Sequence, residues 1–142
     1  MKTLRTLMIG VALFTVCTAA KATFHTDEAN MSKNFAINTY IDAMTRGKAN
    51  GMNEVLDPSV KFTMLRGKKV ISFSKKEVLE NLKNDKDVEQ NCTTDTEILQ
   101  NDADQSVVKV DMKYDGFVRS NYVTLANTGN GWKIINVYSV FK

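Results

Sequence analysis

Residues 120–142, SNYVTLANTGNGWKIINVYSVFK, decide how this 142-residue chain folds. They predict two long strands joined through Thr128-Gly129-Asn130-Gly131, because Gly129 and Gly131 can take the positive φ that a tight hairpin turn needs. The second strand is apolar on both faces. Alternation puts Trp132, Ile134, Tyr138 and Val140 on one side and Ile135, Val137 and Phe141 on the other. A strand that buries both faces lies mid-sheet, with helices over one side and a further layer, such as a second subunit, over the other.

Upstream, the chain continues as strands. Asp115-Gly116 is a two-residue hairpin signal between predicted strands 105–114 and 117–127, and another strand is expected over 88–100. In 105–114 the side chains of Val108, Val110, Met112 and Tyr114 face one way. Lys109, Asp111 and Lys113 face the other, where Asp111 is expected in a cross-strand ion pair rather than in catalysis.

The first half is helical. Spacing predicts a helix over 27–46, capped by Thr26, with Ala29, Ala36, Ile37, Tyr40, Ile41, Ala43 and Met44 on its apolar face and Gly47 at its end. A short helix near 51–56 stops before Asp57-Pro58. Val60, Phe62 and Met64 then alternate as a strand, and Arg66-Gly67-Lys68 turns the chain into a second strand at 70–73. Ser74 and Glu77 form a capping box that opens a third helix carrying Val78, Leu79 and Leu82 inward. Three helices first and a long meander last make an α+β domain. Its strongly curved, mainly antiparallel sheet of about six strands wraps the first helix and leaves a cavity.

Residues 1–22 read as a secretory signal peptide and 23–142 as one domain. Lys2 and Arg5 precede the apolar run LMIGVALFTV at 7–16, which is too short to span a bilayer. Ala20-Lys21-Ala22 offers small residues for cleavage after Ala22 or, alternatively, Ala20. Lipid attachment at Cys17 is disfavoured by Phe14 and Val16. Cleavage removes Lys2, Arg5 and Lys21 with no acid, so the 19 basic side chains fall to 16, level with the 16 acidic ones. A formally neutral domain argues against nucleic acid as a partner, and no membrane association is expected once the signal is removed. The expected location is the bacterial periplasm or the medium. Only Cys92 survives processing, so no internal disulfide can form, and its place on a strand with Val88 and Ile98 predicts a buried, inert thiol.

Three segments carry a resemblance: TYIDAMTRGKANGMNEVLDPSVKF at 39–62, RGKKVISFSKKEVLENL at 66–82 and NYVTLANTGNGWKIINVYSVF at 121–141. With their element order they resemble the nuclear transport factor 2-like superfamily, the SnoaL-like and ketosteroid isomerase-like folds, over 27–141. The last segment is most similar to the branch labelled putative lumazine-binding. Trp132, Lys133, Ile134 and Asn136 match its pattern, while Asn121 stands where an aspartate is usual. The resemblance implies a cone-shaped, cystatin-like roll. It does not imply one function, because this fold hosts enzymes, ligand binders and interaction modules.

Enzymes similar to ketosteroid isomerase place an oxyanion-donating tyrosine on the first helix and a carboxylate base on the first strand. Tyr40 matches the tyrosine by its spacing to Gly47, but Val60-Lys61-Phe62-Thr63-Met64 contains no carboxylate. Dehydratase-like relatives use cavity histidines, and the one histidine here, His25, precedes the first helix. No phosphate loop, nucleophile elbow or zinc-ligand set is present, so neither cofactor nor metal is expected. The expected function is an exported, non-catalytic binder of a small apolar or aromatic ligand. Tyr40, Phe62, Met64, Met112, Tyr114 and Trp132 are expected to line the cavity, with Lys33 as a cation at its mouth. Two alternatives stand beside this reading: an isomerase or dehydratase relying on Tyr40, and a homodimeric interaction module whose exposed sheet face carries Ile135, Val137 and Phe141.

Overall fold

A computed structural model describes residues 32–142. The expectations for the signal peptide, Cys17, His25 and the Thr26 cap lie outside the described residues. The elements are α1 (Lys33–Arg46), α2 (Met52–Val55), β1 (Leu56–Arg66), β2 (Lys69–Ser74), α3 (Lys75–Asn84), β3 (Thr93–Asn101), β4 (Gln105–Tyr114), β5 (Phe117–Asn127) and β6 (Trp132–Phe141). The strands form one sheet in the order β2-β1-β6-β5-β4-β3. Every neighbouring pair is antiparallel except β1 and β6, which run parallel. The fold is α+β, as the element order predicts. No helix among the described residues is long and apolar enough to cross a membrane.

Helix α1 starts later than the apolar spacing suggests. Ser32 has extended backbone (φ −78°, ψ 155°), and its Oγ accepts a 3.0 Å hydrogen bond from the Phe35 amide. A serine hydroxyl in that position satisfies an amide that the first turn leaves unpaired, so Ser32 caps the helix. Ala36, Ile37, Tyr40 and Ala43 then fall on the buried face. The four-residue α2 is too short to persist by itself. Two lysines satisfy its terminal carbonyls: Lys75 Nζ donates to Asn53 O at 2.7 Å and Leu56 O at 2.9 Å, and Lys133 Nζ donates to Glu54 O. Helix α3 carries the predicted capping box between Ser74 and Glu77 and buries Val78 and Leu82.

Strand β6 corrects the face assignment read from simple alternation. Thr124 pairs with Asn136, but Leu125 pairs with Ile134, so Ile135 is an extra residue in the strand. Such a bulge shifts the side-chain period by one. Trp132, Ile134, Val137, Ser139 and Phe141 therefore share the helix-facing side with Val123 and Leu125, and Tyr138 and Val140 face outward. Ile134 and Val137 are both fully buried. Val137 is consequently a core residue and cannot belong to an exposed dimer face. Phe141 lies on the helix-facing side too, at its open end, and Ile135 is half-buried.

Strand β3 begins at Thr93 rather than at 88. The amide of Gln90 is spent on Thr45 O (2.7 Å), and that of Asp87 on Gly47 O (3.2 Å), which ties this connection to the end of α1 instead of to β4. Cys92 is half-buried, while Val88 and Ile98 are exposed, so the predicted apolar stripe through these three residues does not form. On the outer face Lys109 Nζ lies 3.1 Å from Asp111 of the same strand, and Lys113 reaches across to Asp95 at 3.2 Å. Asp111 thus pairs along its own strand, not across strands.

The junction at Gly47 yields a test. Gly47 has φ 65°, and a Cβ there would meet Asp85 O at 2.3 Å and the Asp87 amide at 2.7 Å. Gly67 has nearly the same φ, 63°, but open space around it. Gly67→Ala is expected to cost only the left-handed strain, about 1 kcal/mol, and Gly47→Ala more than about 3 kcal/mol, compared by urea midpoints. Equal losses would show that the connection does not pack against the end of α1.

Candidate functional site

A cavity of about 320 Å³ opens between the C-terminal half of α1, the helix α3 and the sheet. Its apolar wall comes from Phe62, Met64 and Phe73 of the β1–β2 hairpin and from Val78 and Leu82 of α3. These side chains meet because Phe62 pairs with Phe73 and Met64 with Ile71, which sets the inner residues of both strands toward α3. Asn81, Asp85, Val88 and Gln90 close one side, and Arg119 enters from β5. Volume and lining both fall within the usual range for small-molecule sites. Adjoining it lies a larger, more open groove of about 820 Å³, which shares Met64 and adds Leu65, Phe117, Val140 and Phe141. Of these two the smaller is the more enclosed.

A polar chain runs along the sheet beneath the cavity. Asn121, with no solvent exposure, donates from Nδ2 to Val110 O at 3.1 Å. Ser139 Oγ donates to Asn121 Oδ1 at 2.7 Å, and Arg119 Nη2 makes a long 3.4 Å contact to Ser139 Oγ. Tyr40 is fully buried, 6.3 Å from Phe62 between ring centroids, and its hydroxyl has no hydrogen-bond partner among the described residues. Burial pushes that phenol up to about 12, against a smaller opposing pull from the positive charge of Arg119. Tyr114 donates to Gln90 Oε1 at the rim, and burial, followed by the neighbouring Cys92 thiol, raises its hydroxyl as well.

The residues proposed from sequence divide between two ends of the molecule. Phe62 and Met64 line the cavity, Tyr40 and Met112 are fully buried in the core, and Tyr114 stands at the rim. Trp132 and Lys33 do not join them. Lys33 lies near the N-terminal end of α1, where its Nζ sits 4.4 Å from the Trp132 ring centroid and donates to Asn101 Oδ1. Ala43, on the cavity, is ten residues along the same helix, about 15 Å away. Lys33 is therefore engaged in a cation–π contact and not at the cavity mouth.

The cation that does reach the cavity is Arg119, which the sequence reading passed over. A signal was present, because alternation from the apolar Leu125 and Val123 puts Asn121 and Arg119 on the same inward face. In 60–64, Lys61 and Thr63 pair with Asn136 and Tyr138 on the outer face, away from the cavity. Among the described residues, no three His, Cys, Asp or Glu side chains gather as a metal site.

The sequence model of a family described as "Putative lumazine-binding" matches residues 27–139. No curated protein matches the chain. Solved structures do. A nuclear transport factor 2-like protein of unknown function from Silicibacter pomeroyi superposes with a TM-score of 0.61 at 15% identity, covering 77% of this chain and 90% of that one. Another such protein, from Shewanella baltica, gives 0.62 at 10% identity over 84% and 97% of the two chains. A cystatin-like fold protein from Burkholderia xenovorans gives 0.58 at 16% identity over 76% and 87%. At these identities the likeness speaks for the fold.

The buried phenol predicts an alkaline response. An unfolded tyrosine ionises near 10 and Tyr40 near 12, so between those values the unfolded state releases its proton first. The contribution of Tyr40 is intact below about pH 10 and is lost as pH rises toward about 12. Urea midpoints measured from pH 8.5 to about 11.5 should therefore fall less steeply for Tyr40→Phe than for the wild type. Parallel declines would show that the hydroxyl is not buried in this way.

Proposed function

Because the chain belongs to the putative lumazine-binding family of nuclear transport factor 2-like folds, we propose that it binds a small apolar or aromatic molecule in its cone cavity without converting it. The observation that carries this reading is the 320 Å³ cavity walled by Phe62, Met64, Phe73, Val78 and Leu82. Burying an apolar ligand against such a wall contributes roughly 25 cal/mol for each Å² removed from water. The lining supports binding over turnover. Its one carboxylate, Asp85, lies on the exposed rim, and Tyr40 stays a neutral donor behind the wall. Turnover of a bound carbonyl compound that Tyr40→Phe abolishes would favour the enzymatic alternative.

The protein is proposed to act outside the cytoplasm, on the strength of the 1–22 sequence pattern. N-terminal analysis of the protein from its host should then give Thr23 or Lys21 as the first residue. Retention of Met1 would overturn this.

The binding reading is tested with the neutral fluorophore N-phenyl-1-naphthylamine. Asn81 is exposed on α3 and lines the cavity, so Asn81→Trp fills the site while leaving the core untouched. The wild type should show one saturable site. Asn81→Trp should weaken it about tenfold or more, with folding stability held within about 0.5 kcal/mol. Unchanged probe binding by Asn81→Trp would remove the cavity from consideration.

A second reading concerns the outer face of the sheet, where half-buried Val118, Tyr122, Tyr138 and Val140 surround the Lys109–Asp111 pair. That pair is only 23% and 20% exposed in a single chain. We infer that this face meets a second copy of the protein. Sedimentation equilibrium at micromolar concentration should give a dimer that Tyr138→Lys dissociates. A wild-type monomer would exclude it.

A further inference from the structure

Among the described residues, Arg119 is a cation without an anion. Its Nε is buried and makes no hydrogen bond, and none of the ion pairs among the described residues includes it. Its Nη2 reaches only Ser139 Oγ at 3.4 Å, near the limit of a hydrogen bond, and its Cζ stands 5.9 Å from the Phe141 ring. The polar chain beside it does not need it, because Ser139 already gives its proton to Asn121 and Asn121 already donates to Val110 O. The other charged group on the cavity lining, Asp85, sits on the exposed rim. An apolar wall and a guanidinium with a spare donor thus line one cavity. The phenol of Tyr40, also buried and unpartnered, feels the charge of Arg119 from behind the wall.

Buried donors left unpaired are uncommon in native proteins, and one on a residue that lines a cavity calls for an acceptor that enters it. The planar guanidinium fork matches a carboxylate or similar oxyanion, which it can hold through two parallel hydrogen bonds. Phe117 and Phe141 continue the apolar surface in the adjoining groove. Resting on the reading of this cavity as a small-ligand site, we propose that its ligand is an amphipathic anion. The oxyanion head pairs with Arg119, and the apolar body lies along Phe62, Met64, Phe73 and Leu82.

The test compares two probes that share one ring system and differ by a sulfonate: 8-anilinonaphthalene-1-sulfonate and the neutral N-phenyl-1-naphthylamine. The wild type should hold the sulfonate about tenfold or more tightly than the neutral probe. Asn81→Trp should weaken both. Arg119→Gln should abolish the preference, weakening the sulfonate about tenfold more than it weakens the neutral probe. Arg119→Lys, which keeps the charge but not the fork, should retain part of it and serves if Arg119→Gln fails to fold. Equal affinities in the wild type, with the neutral probe still displaced by Asn81→Trp, would overturn the anion inference and leave the cavity reading standing. Absence of saturable binding by either probe would remove the cavity reading, and this inference with it.

Discussion

One extra residue, Ile135, governs how this domain closes. Strand β6 lies at the centre of the sheet, parallel to β1 on one side and antiparallel to β5 on the other. Without the bulge, strict alternation would turn Val137, Ser139 and Phe141 away from the side that holds Trp132 and Ile134. With it, Ile134 and Val137 both lie under α1, and Ser139 stands beside Asn121 in the polar chain. The register of β1 shifts in the same region, between Leu56 and Lys61, where Pro58 has no amide to give. A bulge also sharpens local twist, and a sheet that bends there can curl around a helix rather than lie flat against it.

The second determinant is the closure of the cone at the far end of α1. Gly47 lets the helix end in a left-handed turn, and the 85–90 connection comes down on it backbone to backbone. That contact is why Asp85, Val88 and Gln90 become cavity wall instead of a free loop. A side chain at position 47 would hold the two segments apart. The cavity therefore depends on a residue that contributes no side chain to it, while the apolar wall depends on the β1–β2 pairing and on α3.

How much of this was legible in the sequence follows from the range of each interaction. The capping box at Ser74 and Glu77, the Asp115-Gly116 turn, the glycine turn at 129–131 and the stop at Gly47 are fixed by neighbours within a few residues, and all are found where local chemistry puts them. The faces of β6 were not legible, because nothing local marks Ile135 as the extra residue; its cause is the joint fit of β1 and β5 to one strand. The early end of the Val88, Cys92 and Ile98 stripe has the same origin, in amides that bond to α1 across the fold. Lys33 was expected at the cavity mouth, yet it meets Trp132, a partner supplied by the distant strand β6. Arg119 was legible in principle, because period-two alternation sets it on the same face as Val123 and Leu125.

The sheet ends at β3, all of whose residues are solvent-exposed, with Ile98 and Leu99 among the large apolar side chains left uncovered. Among the described residues no strand pairs with its outer side, which offers backbone donors and acceptors to any passing strand, the ordinary starting point of open-ended fibres. Two features obstruct that growth. Asp95 and Glu97 set negative charge in the middle of the strand, and the pairing slips between Ile98 and Gln100, leaving Leu99 out of step. A strand arriving edge-on meets a broken template and a like charge if it is another copy of itself. The sheet therefore discriminates by angle of approach, obstructing polymerisation along its rim while the broad outer face stays open to a closed, pairwise encounter.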